Sequence, residues 1–320
     1  MLKKIAAALA AVLLMPCVAA QAQPYPSKPI RFVLPFGAGS ATDALARIVG
    51  QELEQMLGQP IIVVPKPGAD GALAAGEVKR AAPDGYTFLF GTNSPLAVAP
   101  NLQKVPPYDV MADFTPVTYL GDNTFFIVAH PSLPASTLGE LIAFARTSPK
   151  PVNYASGNTY ALVSMAMLAA NNRITLEAIR YKSEPDAMTD LLSGRVPLMN
   201  STSTSALAHI KAGKLRALST GFDERSPLLP EVPSLVEAGQ RKLPISPWFA
   251  LVGPAGLPSE IVAAMNKAMA AALAKPSVKE QMQRHGFAPK SSSPEALAAY
   301  MKDQLAVWKV ALRDAGLEPQ

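Results

Sequence analysis

Residues 30–43 read Ile30-Arg31-Phe32-Val33-Leu34-Pro35-Phe36-Gly37-Ala38-Gly39-Ser40-Ala41-Thr42-Asp43, and this stretch decides the fold. The first five form a β-rich run that Pro35 ends, and a turn with two glycines follows. Beyond it Leu45, Ile48, Val49, Leu53 and Leu57 recur at three- and four-residue spacing up to Gly58. That period predicts an amphipathic helix with a glycine stop. A strand, a tight turn and a helix in that order make one unit of an α/β sheet. Gly37 and Gly39 let backbone approach a ligand closely, while Ser40, Ala41 and Thr42 offer unpaired amides at the helix start. Such an end attracts anions, and its dipole contributes roughly 0.3–1 kcal/mol, about 2 when partly buried. Asp43 is placed to cap the helix or fix the loop. The same turn also reads as a plain connection with no ligand.

The unit repeats outward. Residues 61–64 are almost continuously apolar, as a strand covered on both faces is; turns at 67–71 and 83–87 bracket a further helix, and a strand follows at 88–90. Prolines then crowd residues 106–135 around a strand at 125–129, which marks a first crossing to another lobe. A new α/β region opens with Thr137 and Glu140 in capping-box spacing. It continues through strands at 152–155, 179–181 and 215–219, and a second proline-rich stretch at 227–247 precedes a strand at 248–252. The remainder is helical, with one helix from Ser259 and a last one from Ser293-Pro294. Two crossings leave a cleft between lobes, a preferred place for a small-molecule site. The expected division is lobe 1 at 23–124 and 249–320, and lobe 2 at 125–248.

The chain begins with an address. Lys3 and Lys4 precede an apolar run from Ile5 to Val18, and Ala20-Gln21-Ala22 offers small residues for cleavage after Ala22. The run is shorter than the ~20 residues of a bilayer span, so export to the periplasm is expected. Removing the segment lowers the net charge from +5 to +3 and takes away Cys17, the one cysteine. No disulfide or thiolate metal site is then open to the rest of the chain. Charged residues are 17% of the chain and well mixed, without the basic stripe of a nucleic-acid binder.

Enzyme readings find little support. Gly37-Ala38-Gly39 starts like a dinucleotide fingerprint, but Thr42 stands where the third glycine belongs and Pro65-Lys66-Pro67 where an acidic ribose partner belongs. No Gly-x-Ser-x-Gly elbow occurs. His130, His209 and His285 lie too far apart for a paired metal motif. No catalytic residue, cofactor or metal is expected. A second candidate loop, Ser156-Gly157-Asn158-Thr159-Tyr160, lies between a strand and a helix. The polar run Asn200-Ser201-Thr202-Ser203-Thr204-Ser205 reads either as the start of a helix toward the cleft or as a solvated linker.

At this point the residues resemble a family. Tyr25-Pro26-Ser27-Lys28-Pro29-Ile30, Val33-Leu34-Pro35-Phe36, Pro83-Asp84-Gly85-Tyr86-Thr87, Tyr181-Lys182, Ala212-Gly213-Lys214-Leu215-Arg216 and Pro254-Ala255-Gly256-Leu257-Pro258 occur in one order. That order is similar to the substrate-binding proteins of tripartite tricarboxylate transporters, the Bug family. The resemblance implies a periplasmic-binding-protein (Venus-flytrap) fold, two α/β lobes joined by two crossing strands. It implies a monomeric receptor that captures a small organic carboxylate and partners two integral membrane transporter subunits. A receptor that signals to a membrane sensor is the alternative, and a periplasmic enzyme a more distant one. The implied ligand loops are Phe36 to Asp43 and Thr92-Asn93-Ser94 in lobe 1. In lobe 2 they are Ser156 to Thr159, Tyr181, and Asn200-Ser201. Two departures bear on specificity. Ser40 adds a hydroxyl at the pocket floor, and Asn200 is neutral where the family often has an aspartate, which predicts a ligand without an amino group. Phe36, Tyr160 and Phe249 are candidates to flank an aromatic or long acyl chain.

Overall fold

The computed structural model describes residues 25–319, so the export segment and its cleavage point lie outside the described residues. β1 (Ile30–Leu34) leads into α1 (Ala41–Leu57). Ser40 caps that helix by accepting the Asp43 N–H at 3.3 Å, and Gly58 ends it at φ 66°, a left-handed conformation that costs glycine little. β2 (Ile61–Pro65), α2 (Ala72–Lys79) and β3 (Thr87–Thr92) follow, then α3 (Val110–Asp113) and β4 (Phe114–Asn123). After Thr124 come β5 (Phe125–Ala129), α4 (Leu138–Thr147), β6 (Val152–Ser156) and α5 (Thr159–Asn172). They are succeeded by β7 (Leu176–Arg180), α6 (Glu184–Leu192), β8 (Leu198–Thr202), α7 (Ser203–Lys211) and β9 (Arg216–Thr220). The chain closes with β10 (Trp248–Pro254), α8 (Ser259–Ala274), α9 (Pro276–Arg284), β11 (Phe287–Pro289) and α10 (Pro294–Asp314).

Two sheets result, in the orders β11-β4-β10-β3-β1-β2 and β7-β6-β8-β5-β9. β1 is parallel to β2 and β3, as the strand–helix alternation predicts. In the second sheet β6 is likewise parallel to β7 and β8, but β10 is antiparallel to β3 and β4, and β5 to β8 and β9. Both strands arrive directly from the other lobe rather than through a crossover helix, so nothing forces the parallel sense. The first crossing is nearly continuous strand, β4 to β5 through Thr124; the second is the long irregular segment 221–247 that enters β10.

Three strands escape the sequence pattern, one of them the three-residue β11 at the edge of the first sheet, in a region expected to be helical. β4 contains Pro116, which sits where the register with β10 slips between Leu251 and Val252, a position that tolerates a missing donor. β8 holds Asn200, Ser201 and Thr202, all buried, between β6 and β5. The polar run is therefore a central strand up to Thr202, and only Ser203 opens a helix. The capping box at Thr137 is also displaced by one residue. Thr137 accepts the Glu140 N–H, but the Glu140 carboxylate takes the N–H of Ser136.

One apolar cluster spans both layers. Phe125, Tyr160, Val163 and Met167 pack with Trp248, Leu96 and Trp308 of α10. Burial of such apolar side chains is the dominant favourable term in folding, and here it ties residues of the two sheets together.

Candidate ligand-binding cleft

The turns that leave β1, β3, β6, β7 and β8 meet where the two sheets face each other. Each turn hands its strand to a helical segment, so free N–H groups gather at one place. The space between them is about 380 Å³ with its opening to solvent included, and its closed part, about 30 Å³, has room for little more than ordered water, so a ligand enters as the lobes part. Phe36, Ser40, Ala41, Thr42, Thr92, Asn93, Ser94 and Phe249 line it from lobe 1, and Phe125, Gly157, Asn158, Tyr160, Glu184, Thr202 and Pro247 from the other side. A wider outer pocket shares Phe36, Gly157 and Asn158 with it and adds Asp70, Arg180, Tyr181 and Lys182.

Lobe 1 offers the open donors. The first-turn N–H groups of Ala41 and Thr42 have no carbonyl within their helix to accept them. Asn93 is 4% exposed, and its Nδ2 has no partner among the described residues. An unpaired buried amide of this kind is costly, and a ligand oxygen would relieve it. Asp43 does not point at the space. Its carboxylate takes the Gly39 N–H at 3.0 Å and the Arg47 Nε at 3.0 Å, so it fixes the loop.

Lobe 2 is already engaged. Asn158 caps α5 by accepting the Ala161 N–H at 2.8 Å, and the Ser156 hydroxyl donates to the Asn158 carbonyl at 3.0 Å. Gly157 is required by packing: a Cβ there would lie 2.5 Å from the Glu184 Cα. Glu184 itself is 4% exposed. Its Oε1 accepts the Ser201 hydroxyl at 2.7 Å, the Thr202 N–H at 2.6 Å and the Thr202 hydroxyl at 3.0 Å. Burial pushes its carboxyl above the usual carboxylate range, against the pull of those bonds and of Ser205.

The lobes touch on both sides of the space. The Ser94 and Thr159 hydroxyls bond directly, and Arg180 Nη2 reaches Asp70 at 2.6 and 2.8 Å. Gly37 faces Ser183 closely enough that a Cβ would be 3.5 Å away.

Of the candidate residues, Phe36, Ser40, Thr92, Asn93, Ser94, Gly157 and Asn158 come together around the inner space, and Tyr181 around the outer pocket. Ala38 and Gly39 are exposed on the loop and line neither. Ser201 stands one step behind, on Glu184. Asn200 is elsewhere: it is 1% exposed, donates to Ser164 Oγ at 2.7 Å and lines a separate cavity with Met165 and Leu168. Its side chain is thus outside the space and does not select for or against a ligand's amino group. Glu184 and Phe125 were not among the expected residues. The position of Glu184 at the end of the β7 turn was the available signal, because neighbouring turns at the same sheet edge all line the cleft.

Among the described residues no group of three or more His, Cys, Asp or Glu could hold a metal, and no helix is long and apolar enough to cross a membrane.

Known proteins give this geometry a context. A solved periplasmic binding protein, BugD, superposes with a TM-score of 0.88 at 31% identity over 92% of this chain and 100% of its own. Rpa4515 of R. palustris, solved with adipate, gives 0.89 at 28% identity over 92% and 100%. MatC from Rhodopseudomonas palustris, solved with malate, gives 0.83 at 28% over 90% and 100%. Protein BugT of Bordetella pertussis is 33% identical over 92% of this chain and 91% of its own length. The profile of the tripartite tricarboxylate transporter family receptor matches residues 45–317. This chain belongs to that family of receptors.

Proposed function

We propose that the protein is a periplasmic receptor that captures a small organic carboxylate between its lobes, 23–124 with 249–320 on one side and 125–248 on the other. It acts as a monomer and delivers the acid to a transporter with two integral membrane subunits. The carrying observation is the pairing of an unpartnered, buried Asn93 Nδ2 with the free first-turn amides of α1 on one wall of an enclosed space. Such a wall suits a carboxylate and does not need an arginine. The likeness to structures solved with adipate and malate supports the same ligand class. Family membership supports the transport partners and the periplasmic setting.

The test is thermal melting of residues 23–320 against mono-, di- and tricarboxylates, aromatic acids, amino acids, a sugar and a nucleotide. A ligand at one hundred times its dissociation constant adds ~2.7 kcal/mol. A carboxylate is expected to give that stabilisation. Stabilisation by the sugar or nucleotide alone refutes the reading.

A further inference from the structure

The end of β8 is a built anion position. The Ser201 hydroxyl, the Thr202 N–H and the Thr202 hydroxyl converge at the start of α7, where the helix dipole is positive. What they converge on is the protein's own Glu184 Oε1, at 2.6 to 3.0 Å. Glu184 and Thr202 both stand on the wall of the inner space. Across that space the donors of Asn93, Ala41 and Thr42 remain open. Two donor clusters thus face each other, one filled from within and one free. No lysine or arginine lines the inner space. Arg180 and Lys182 stand in the outer pocket, and Arg180 is committed to Asp70 as Arg47 is to Asp43.

We infer that Glu184 is a specificity-determining residue: it occupies the lobe 2 carboxylate position and restricts the ligand to one carboxylate, held on lobe 1. This rests on the carboxylate-receptor reading above and narrows it. A second carboxylate at the far end of a ligand would meet donors already used and an acid of its own kind, with no cation between them. The remainder of the ligand is therefore uncharged, and Phe36, Phe125 and Tyr160 are the apolar surfaces it meets. The occupancy follows from three hydrogen bonds to one oxygen, and it holds with or without a proton on the other.

The experiment is isothermal titration of the mature chain with matched acids: butyrate and succinate, hexanoate and adipate, benzoate and terephthalate. The expected result is at least one monocarboxylate bound tenfold or more tighter than its dicarboxylate partner. Glu184→Ala empties the donor set and is expected to shift that ratio tenfold or more toward the dicarboxylate. Glu184→Gln keeps an acceptor at the same donors, so it should preserve most of the preference; with the wild-type ratio it decides the matter if the alanine variant does not fold. If no monocarboxylate is bound tenfold tighter than its dicarboxylate partner by the wild type, the inference is overturned and the receptor reading stands. A ratio unchanged in Glu184→Ala overturns it as well. If no carboxylate in the wider melting panel binds the wild type, the receptor reading itself fails.

Discussion

Arg180, at the end of β7, holds Asp70 of the opposite lobe with one nitrogen, 2.6 Å from Oδ2 and 2.8 Å from Oδ1. With the Ser94–Thr159 hydroxyl pair it is a direct polar tie across the cleft mouth. Both partners remain partly exposed, with 52% and 29% of their side chains open, so the tie is a modest bias on closure. Exposed pairs typically contribute 0.2–1 kcal/mol and weaken with salt.

Arg180→Ala is accordingly expected to weaken ligand affinity about two- to fivefold at low salt, from that same range of pair strengths. The difference should shrink at high salt. Titrations of both proteins at two ionic strengths check this, and an equal loss at both would point to a direct ligand contact instead.

Gly157→Ala tests the fit of the β6 turn against α6. The new Cβ meets Glu184 backbone at 2.5 Å, with no flexible side chain to give way. Overpacking of this kind costs about 1–3 kcal/mol, and each kcal/mol lowers Tm by roughly 2–4 °C at comparable size. A melting curve within 1 °C of wild type, on the order of the smallest such shift, would contradict the packing described.

The acid at position 184 makes a pH signature. Its carboxyl is raised by burial in the folded chain, so the folded state holds the proton more tightly than the unfolded state does. Stability should therefore fall as pH rises from the unfolded value of ~4.3 through the higher folded value, and then level off. Asp122 is also raised by burial and adds a slope of the same sign. The difference between wild type and Glu184→Gln isolates Glu184. That difference should favour the glutamine protein above the window and vanish below it; parallel pH curves for the two would rule the burial account out.

Much of this architecture could be read from local chemistry. β1 runs over 30–34 as expected, α1 stops at Gly58, and Ser293 caps α10, because a strand edge, a left-handed glycine and a side-chain cap are each decided within a few residues. β4 and β8 were hidden for a physical reason. A proline at a bulge and a run of buried polar residues both break the apolar signature, and only the neighbouring strands supply what compensates. The cleft was half legible. Loops after β1, β3 and β6 announce themselves through glycines, hydroxyls and amides at helix starts. Asn200 misled because alternation along β8 turns its side chain to Ser164 while Ser201 bonds Glu184. Glu184 looked like an ordinary first-turn acid, since an acidic residue at a helix start needs no ligand to explain it.

The central claim is that the enclosed space holds a carboxylate on the lobe 1 donors, and Asn93→Ala tests it most directly. Its Nδ2 bonds nothing within the described protein, and an unpaired buried amide is itself costly; losing it offsets the packing lost, so Tm without ligand should not fall by more than about 2–4 °C, the equivalent of about 1 kcal/mol at comparable size. A hydrogen bond to a charged group contributes about 1.5–3 kcal/mol, so titration with the best carboxylate should show one site weakened roughly 10- to 100-fold. Unchanged affinity in a variant of unchanged stability would place the carboxylate somewhere else.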